Sequence, residues 1–378
     1  MKRITSILLV SLIICTSAAC SSQKSGSESK ISSSTEVSQT SFAAPETADE
    51  PVSSQNGLSV KNAPELPQSI QETIDDYDFE GVIYAVKKGE NVIAYAEGTL
   101  ENGDEIDINT PMPIGSVSKQ FCAAAVLVLQ EQGKLSADDT LDKYFPEYEE
   151  GKKISLHNML SMQSGIPEML SEDIEDIVSI DKKEEENKAA IKKWLFDQPL
   201  DFEPGKQFEY VNSNYFLLSD IVEQVSGKKY IDFLRENFLK PLGMEHTGTI
   251  GELPDSPEWA NGTTYKELDA QPGLTNGCGD LISNVEDMNI WINALSSGNA
   301  ISAESYKAMT TDYSQSQYGY GMFLEIQGGV GHPGSIGIYS SFDYLNKDED
   351  LTLLTLSNTI YPPDISMFAD DLITDLTE

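Results

Sequence analysis

The sequence predicts an α+β fold, with an antiparallel sheet of about five strands built from both chain ends, flanking helices and a mostly helical second lobe. Three observations predict it. Strand-like runs occur over residues 81–98 and then only after residue 318. Helical patterning fills the interval between them. One of those helices is apolar on every side and must be buried. Strands so far apart in sequence share a sheet when the intervening helices cover its faces or form a lobe beside it.

Each element follows from its own pattern. Residues 66–77, "LPQSIQETIDDY", read as an opening helix. Two β-rich runs flank Lys88-Gly89-Glu90, a hairpin signal. Helices are expected over residues 116–132, 182–197, 215–225 and 230–238. Strands return in "YGYGMFLEI", "SIGIYSSFDYL" and "LTLLTLSN", and "DISMFADDLITDL" closes the chain as a helix. No internal repeat is present, so residues 66–378 form one unit with two lobes.

The N-terminus sets the compartment. In "MKRITSILLVSLIICTSAAC", Lys2 and Arg3 precede an apolar run that is too short for a comfortable membrane span, followed by small residues up to Cys20. This pattern resembles a bacterial lipoprotein signal, although Ser17 stands where such signals more often carry Leu. Residues 1–19 are then a signal peptide and Cys20 is lipidated; an ordinary signal peptide cleaved near Cys20 is the alternative. Residues 20–65 are rich in Ser, Glu, Gln and Thr, with Phe42 as the one aromatic, and cannot bury enough surface to order themselves. They read as a tether on the extracytoplasmic face of the cell membrane, ahead of a catalytic domain over residues 66–378.

Charge and composition remove other classes. The chain has 62 acidic and 25 basic residues in 378, a formal charge of -37, which repels phosphate backbones and argues against nucleic-acid binding. Its three histidines, His157, His246 and His332, have no metal-ligand spacing, and no cofactor is implied. Cys122 and Cys278 are the cysteines of the domain; an exported protein permits a disulfide, but a free buried thiol is the simpler reading of Cys122. Nothing in the sequence sets an oligomeric state.

The segment "PIGSVSKQFCAAAVLVLQEQGKL" raises the chemical question. Ser-x-x-Lys recurs at Ser21/Lys24, Ser27/Lys30, Ser179/Lys182 and Ser226/Lys229, but only Ser116/Lys119 opens an all-apolar helix. Residues three apart share a helix face, so the lysine amine can reach the serine hydroxyl and accept its proton. Free N–H groups at the helix start can stabilise an oxyanion. An N-capping serine with a solvent-reaching lysine is the plainer alternative. Tyr210 and Asn212 lie just before a helix, where a phenol can relay a proton and an amide can hold a substrate; packing and helix capping are the structural alternatives. His332-Pro333-Gly334-Ser335 leads into a strand, with Gly331 and Gly334 free to let backbone approach a ligand and His332 able to donate to an acidic group, unless it is a turn histidine.

Taken in order, these segments resemble the serine β-lactamase and penicillin-binding-protein family, in the branch of class C β-lactamases, D-alanyl-D-alanine carboxypeptidases, D-amino-acid peptidases and esterases. The likeness extends through "ISLHNMLSMQSGIP", "FEPGKQFEYVNSNYFLLSDIVEQVSG", "FLKPLGMEHTG", "GCGDLISNVEDM" and "GHPGSIG". It implies a β-lactamase/transpeptidase-like fold and an acyl-enzyme on Ser116, with Lys119 as proton partner and Tyr210 as proton shuttle. Asn212 would hold the substrate amide, and the backbone N–H groups of Ser116 and Ser335 would form the oxyanion hole. His332, Gly334 and Ser335 would contact substrate. Two departures matter. Tyr-x-Asn replaces Ser-Asp-Asn, which argues against a class A enzyme. His332 replaces the lysine of Lys-Thr-Gly, which weakens the pull on a substrate carboxylate. No Gly-x-Ser-x-Gly is present to support an α/β-hydrolase elbow. The expected partner is a small-molecule or peptide substrate; the competing reading is a sensor that acylates once without turnover. Substrate choice is expected to rest on residues 168–199 and 251–272.

Overall fold

The structure is a computed structural model that describes residues 81–89, 91–100, 103–175, 177–179, 181–249, 273–359 and 365–377, with a few positions between 72 and 79. The signal sequence, Cys20, the tether, most of the opening helix and the loop 251–272 lie outside the described residues. No helix among the described residues is long and apolar enough to cross a membrane.

The main sheet has six strands. The hairpin of β1 (Gly81–Lys88) and β2 (Asn91–Gly98) turns at Gly89 as the sequence predicts. A two-residue strand, β3 (Met112–Pro113), is followed much later by β4 (Gly248–Thr249) and β5 (Leu281–Ser283), which form a small sheet with it in the order β3-β5-β4. Then come β6 (Phe323–Ile326), β7 (Gly329–Ile336), β8 (Tyr339–Asn346) and β9 (Leu351–Ser357). The main sheet runs β2-β1-β9-β8-β7-β6, every pairing antiparallel, so first and last strands meet at β1 and β9. The sixth strand is β7: its Gly and Pro residues read as a turn, but residues 329–336 are extended and the turn falls at Gly337-Ile338.

Five helices of 13 to 15 residues stand out among the described residues: α1 (Ser118–Glu131), α2 (Glu184–Phe196), α3 (Asn212–Ser226), α4 (Val285–Ser297) and α5 (Ile365–Thr377). Alternation along the strands divides the core between two faces. Val82, Tyr84, Val86, Phe342, Tyr344 and Leu353 pack against Phe368, Leu372 and Ile373 of α5. Ile83, Ala85, Tyr339, Leu354 and Leu356 belong to the larger core that contains α1, α3 and α4. Helix α1 is the hub of that core: every residue from Ser118 to Leu129 is buried, and Phe121 stacks on Trp291 of α4 with ring centroids 3.7 Å apart. Its final turn gives way at Gly133, whose φ of +67° suits a residue without a Cβ.

Two features place the site at the start of α1. The small sheet pins the entering chain, with the Ile114 amide donating to the Leu281 carbonyl at 3.0 Å and the Leu281 amide to Ser118 Oγ at 3.2 Å. Strand β6 pairs with β7 only as far as Gly331, so among the described residues 332–336 have β8 on one side and no strand on the other. Pro333, which has no N–H to give, is tolerated in this half-open stretch.

Candidate active site

The chain enters α1 through a short 3-10 turn, Gly115–Val117, which carries Ser116. Gly115 has φ +47°, and a Cβ there would come within 2.7 Å of the Ser335 amide nitrogen. Only glycine meets both conditions, and it lets the segment before Ser116 lie directly against β7. Gly334 serves the same contact, since a Cβ on it would sit 2.1 Å from the Ile114 carbonyl oxygen. A Cβ on Gly331 would strike the Asp343 carbonyl at 1.9 Å. Both glycines thus let neighbouring backbone pack against β7.

Lys119 is fully buried, with 0% of its surface exposed. Its Nζ lies 3.0 Å from Ser116 Oγ, 2.8 Å from Asn212 Oδ1 and 2.8 Å from the Cys278 carbonyl oxygen. One turn of helix brings the amine back to the serine, as the spacing predicts. Three neutral oxygens match the three hydrogens of an ammonium. The same geometry serves a neutral amine, which would donate to Asn212 and Cys278 and take the serine proton on its lone pair. The ammonium also stands 4.9 Å from the centroid of the Tyr210 ring.

Asn212 is the first residue of α3 rather than its cap; Val211 occupies the cap position and offers no side-chain bond. The cap comes from elsewhere. Glu168 Oε2 accepts the Asn212 amide at 2.7 Å and Asn212 Nδ2 at 3.1 Å, while Oε1 accepts the Leu170 amide at 2.8 Å. The carboxylate satisfies an otherwise free N–H at the helix start, where negative charge is favourable, and aims the Asn212 oxygen at Lys119. Ser213 Oγ donates to the Pro167 carbonyl and Ser164 Oγ to Asn214 Oδ1, so the loop 164–168 is fastened to the first turn of α3. Sequence reasoning missed Glu168 in this position. It begins the stretch 168–199 expected to govern substrate choice, but no spacing links it to residue 212.

Cys278 contributes its main chain, not its thiol. Its amide and that of Gly279 both donate to the Thr275 carbonyl, at 3.0 and 2.9 Å, forming the tight turn that presents the 278 carbonyl to Lys119. Cys122 and Cys278 are both free and buried; burial pushes the Cys278 thiol up to about 12 and the Cys122 thiol up as well.

Tyr210 is half-buried against Tyr318 and Phe323, and its hydroxyl has no hydrogen-bond partner among the described residues. His332 lies in the same aromatic group, with ring centroids 5.0 Å from Phe323 and 5.9 Å from Tyr210. It is 1% exposed and both ring nitrogens are engaged. Nδ1 is 2.5 Å from the Pro333 carbonyl, which can only accept, so Nδ1 carries the proton; Nε2 then takes the Tyr318 hydroxyl at 3.3 Å. Burial first, and the Lys119 charge second, push the imidazole down to about 3, so it is neutral at pH 7. In place of a charged donor, the structure has a neutral, buried ring with both nitrogens engaged.

A serine and a lysine one helical turn apart, an asparagine bound to the lysine and a tyrosine whose hydroxyl has no partner among the described residues, carried on an all-antiparallel sheet with helices on both faces, define a class of serine-acylating proteins. The chain belongs to the Beta-lactamase family, whose model matches residues 66–378. It is 30% identical over 304 residues to PbpX of Bacillus subtilis (strain 168), whose name marks it a candidate penicillin-binding protein, with 74% of this chain and 70% of that protein covered. It is 26% identical to Protein flp of Staphylococcus aureus (strain MW2), covering 66% of this chain and about half, 53%, of that longer protein. The fold is similar to that of D-amino acid amidase from Ochrobactrum anthropi SV3, with a TM-score of 0.69 and 20% identity over 82% of this chain and 98% of that one.

Proposed function

We propose that the chain is a membrane-tethered, extracytoplasmic serine hydrolase that works through an acyl-enzyme on Ser116. The observation that carries this reading is the Lys119 amine, sealed from water, 3.0 Å from Ser116 Oγ and with no carboxylate among its hydrogen-bond partners. Ser116 Oγ attacks a substrate carbonyl while its proton moves to Lys119 Nζ. The developing oxyanion is taken by the backbone amides of Ser116 and Ser335. Tyr210 gives its proton to the leaving amine or alcohol and regains one from Lys119, returning both groups to their starting state, and a water then splits the acyl-enzyme. Asn212 holds the substrate amide by whatever part of its side chain Glu168 and Lys119 leave free.

The substrate is an amide or ester whose leaving side carries no carboxylate. A neutral His332 offers an anion nothing, and Glu168 places a negative charge beside Asn212. D-amino-acid amides, the substrates that the name of the Ochrobactrum structure supplies, and small esters meet this condition better than penicillins or D-alanyl-D-alanine peptides. The tether reading places the enzyme at the membrane through acyl chains on Cys20.

The test is to incubate the protein separately with a penicillin, a short acyl ester, a D-amino-acid amide and a D-alanyl-D-alanine peptide, following intact mass and product together. Product from the ester and the amide, with none from a Ser116→Ala variant, is the expected result. Undiminished turnover by that variant would remove Ser116 from the mechanism. A lasting adduct without product would replace the hydrolase by a single-acylation sensor. His332→Lys is expected to tighten binding of carboxylate-bearing ligands, and unchanged affinity would overturn the assigned role of charge at that position.

A further inference from the structure

Strand β8 carries none of the motif residues, yet it holds the Ser116 segment at both ends. Ser341 and Asp343 are two residues apart, on the strand face opposite Phe342 and Tyr344, which pack toward α5. Ser341 Oγ donates to the Ile114 carbonyl at 2.8 Å, two residues before Ser116. One residue after Lys119, Gln120 Nε2 donates to both Asp343 oxygens, at 2.9 and 2.8 Å. Asp343 Oδ1 also accepts the His332 amide at 2.7 Å, so one carboxylate ties α1 to β7. Ile114, Gln120, Ser341 and Asp343 are all buried.

The polarity of this chain of bonds is fixed from its far end. The Trp291 indole can only donate, and it gives its N–H to Gln120 Oε1 at 3.1 Å. Gln120 must therefore turn its NH2 toward β8. An NH2 group and a backbone N–H arriving together are both met by a carboxylate, which offers two accepting oxygens and no donor. Among the described residues no cation pairs with Asp343, and burial pushes its carboxyl up to about 7. An unpaired buried carboxylate costs stability, so folding alone gives no reason for one here.

We propose that Asp343, acting through Gln120, and Ser341, acting through Ile114, are positioning residues that hold Ser116 and Lys119 against the strand carrying Ser335. This rests on the reading of Ser116 as nucleophile. The position of a hydroxyl relative to its oxyanion donors is what such a brace controls, and small misplacements there are costly in rate.

The experiment uses the full chain with p-nitrophenyl acetate as probe, reading kcat, KM and Tm at pH 8. Asp343→Asn preserves size but sets one NH2 against another. It is expected to lower kcat about 10–100-fold, with KM within about twofold and Tm unchanged or higher. The double variant Gln120→Glu with Asp343→Asn reverses the polarity and satisfies every group again: the new carboxylate accepts from Trp291 and from the amide at 343, whose oxygen accepts from His332. It is expected to recover kcat to within about threefold of the parent. Ser341→Ala removes a single bond and is expected to cost about three- to tenfold in kcat. A kcat for Asp343→Asn within twofold of the parent, no recovery in the double variant, or a loss of rate that merely follows a loss of folded protein would each overturn the proposal. Ser116→Ala separates the two readings. Turnover that survives in it removes the nucleophile; turnover lost in it but kept in Asp343→Asn removes the brace alone.

Discussion

Lys119 and Lys188 are both buried lysines, at 0% and 1% exposure, and they sit in opposite surroundings. Lys188, in α2, is ringed by Glu223 at 2.5 Å, Asp220 at 3.4 Å and Glu184 at 3.8 Å. Burial alone would pull its pKa down, but the carboxylates outweigh it and the net shift is upward. Lys119 meets three neutral oxygens instead. The first arrangement sets the positive charge among carboxylates; the second gives the amine only neutral acceptors, one of them the Ser116 hydroxyl. Burial of a lysine thus says little until its partners are named, and the choice between carboxylate and carbonyl separates a structural cation from a chemical one.

The largest expected effect crosses these two roles. Lys119→Ala should slow acylation by several orders of magnitude, read as the rate of ester-product release, while the fold persists because no carboxylate is left orphaned. Lys188→Met should do the reverse: a loss of about 3–5 kcal/mol in urea unfolding, chiefly from Glu223 left without its cation while Asp220 keeps Lys192 and Glu184 keeps Lys229, with kcat per folded molecule little changed. If both variants lose activity and stability together, the distinction collapses.

His332 sharpens the comparison as a third buried base. Its folded pKa of about 3 lies below the value near 6.5 of an unfolded histidine, so as pH falls the unfolded chain takes the proton first. Its contribution to stability is therefore full above about pH 6.5 and is lost as pH falls from there toward 3. His332→Gln removes that loss and should flatten the acid limb of the unfolding free energy from urea titrations by an amount on the order of a few kcal/mol. Asp280 and Asp343, both pushed up to about 7, and Asp287, pushed up to about 6, slope the other way over much of this range, so the difference between parent and variant is the quantity to follow. A smaller effect is expected of Glu168→Gln, which sets an NH2 against a donor at the start of α3: about tenfold in kcat/KM for an amide substrate, less for an ester that makes no use of Asn212.

What could be read from the sequence follows from what is local. Ser116 and Lys119 meet because a helix repeats every 3.6 residues, and the all-apolar run after them signals burial. The β1–β2 hairpin and α5 follow from their own patterns. Strand β7 was hidden because glycine and proline normally punctuate. Here Gly331 and Gly334 answer to the crowding of Asp343 and Ile114, which only the assembled sheet reveals. Glu168 was equally hidden, since its tie to Asn212 spans 44 residues with no repeating pattern to mark it. His332 was legible as a departure from lysine, but its seclusion depends on Tyr318 and Phe323, which arrive from another strand and its approach.

The turn at Thr275–Cys278 has a practical consequence. It lends the buried amine a peptide oxygen, and replacing the 278 side chain leaves that oxygen on the chain. A screen that exchanges side chains one at a time is blind to this part of the machinery. Only a change that bends the main chain will expose it, such as a proline at Gly279, whose amide closes the turn on Thr275.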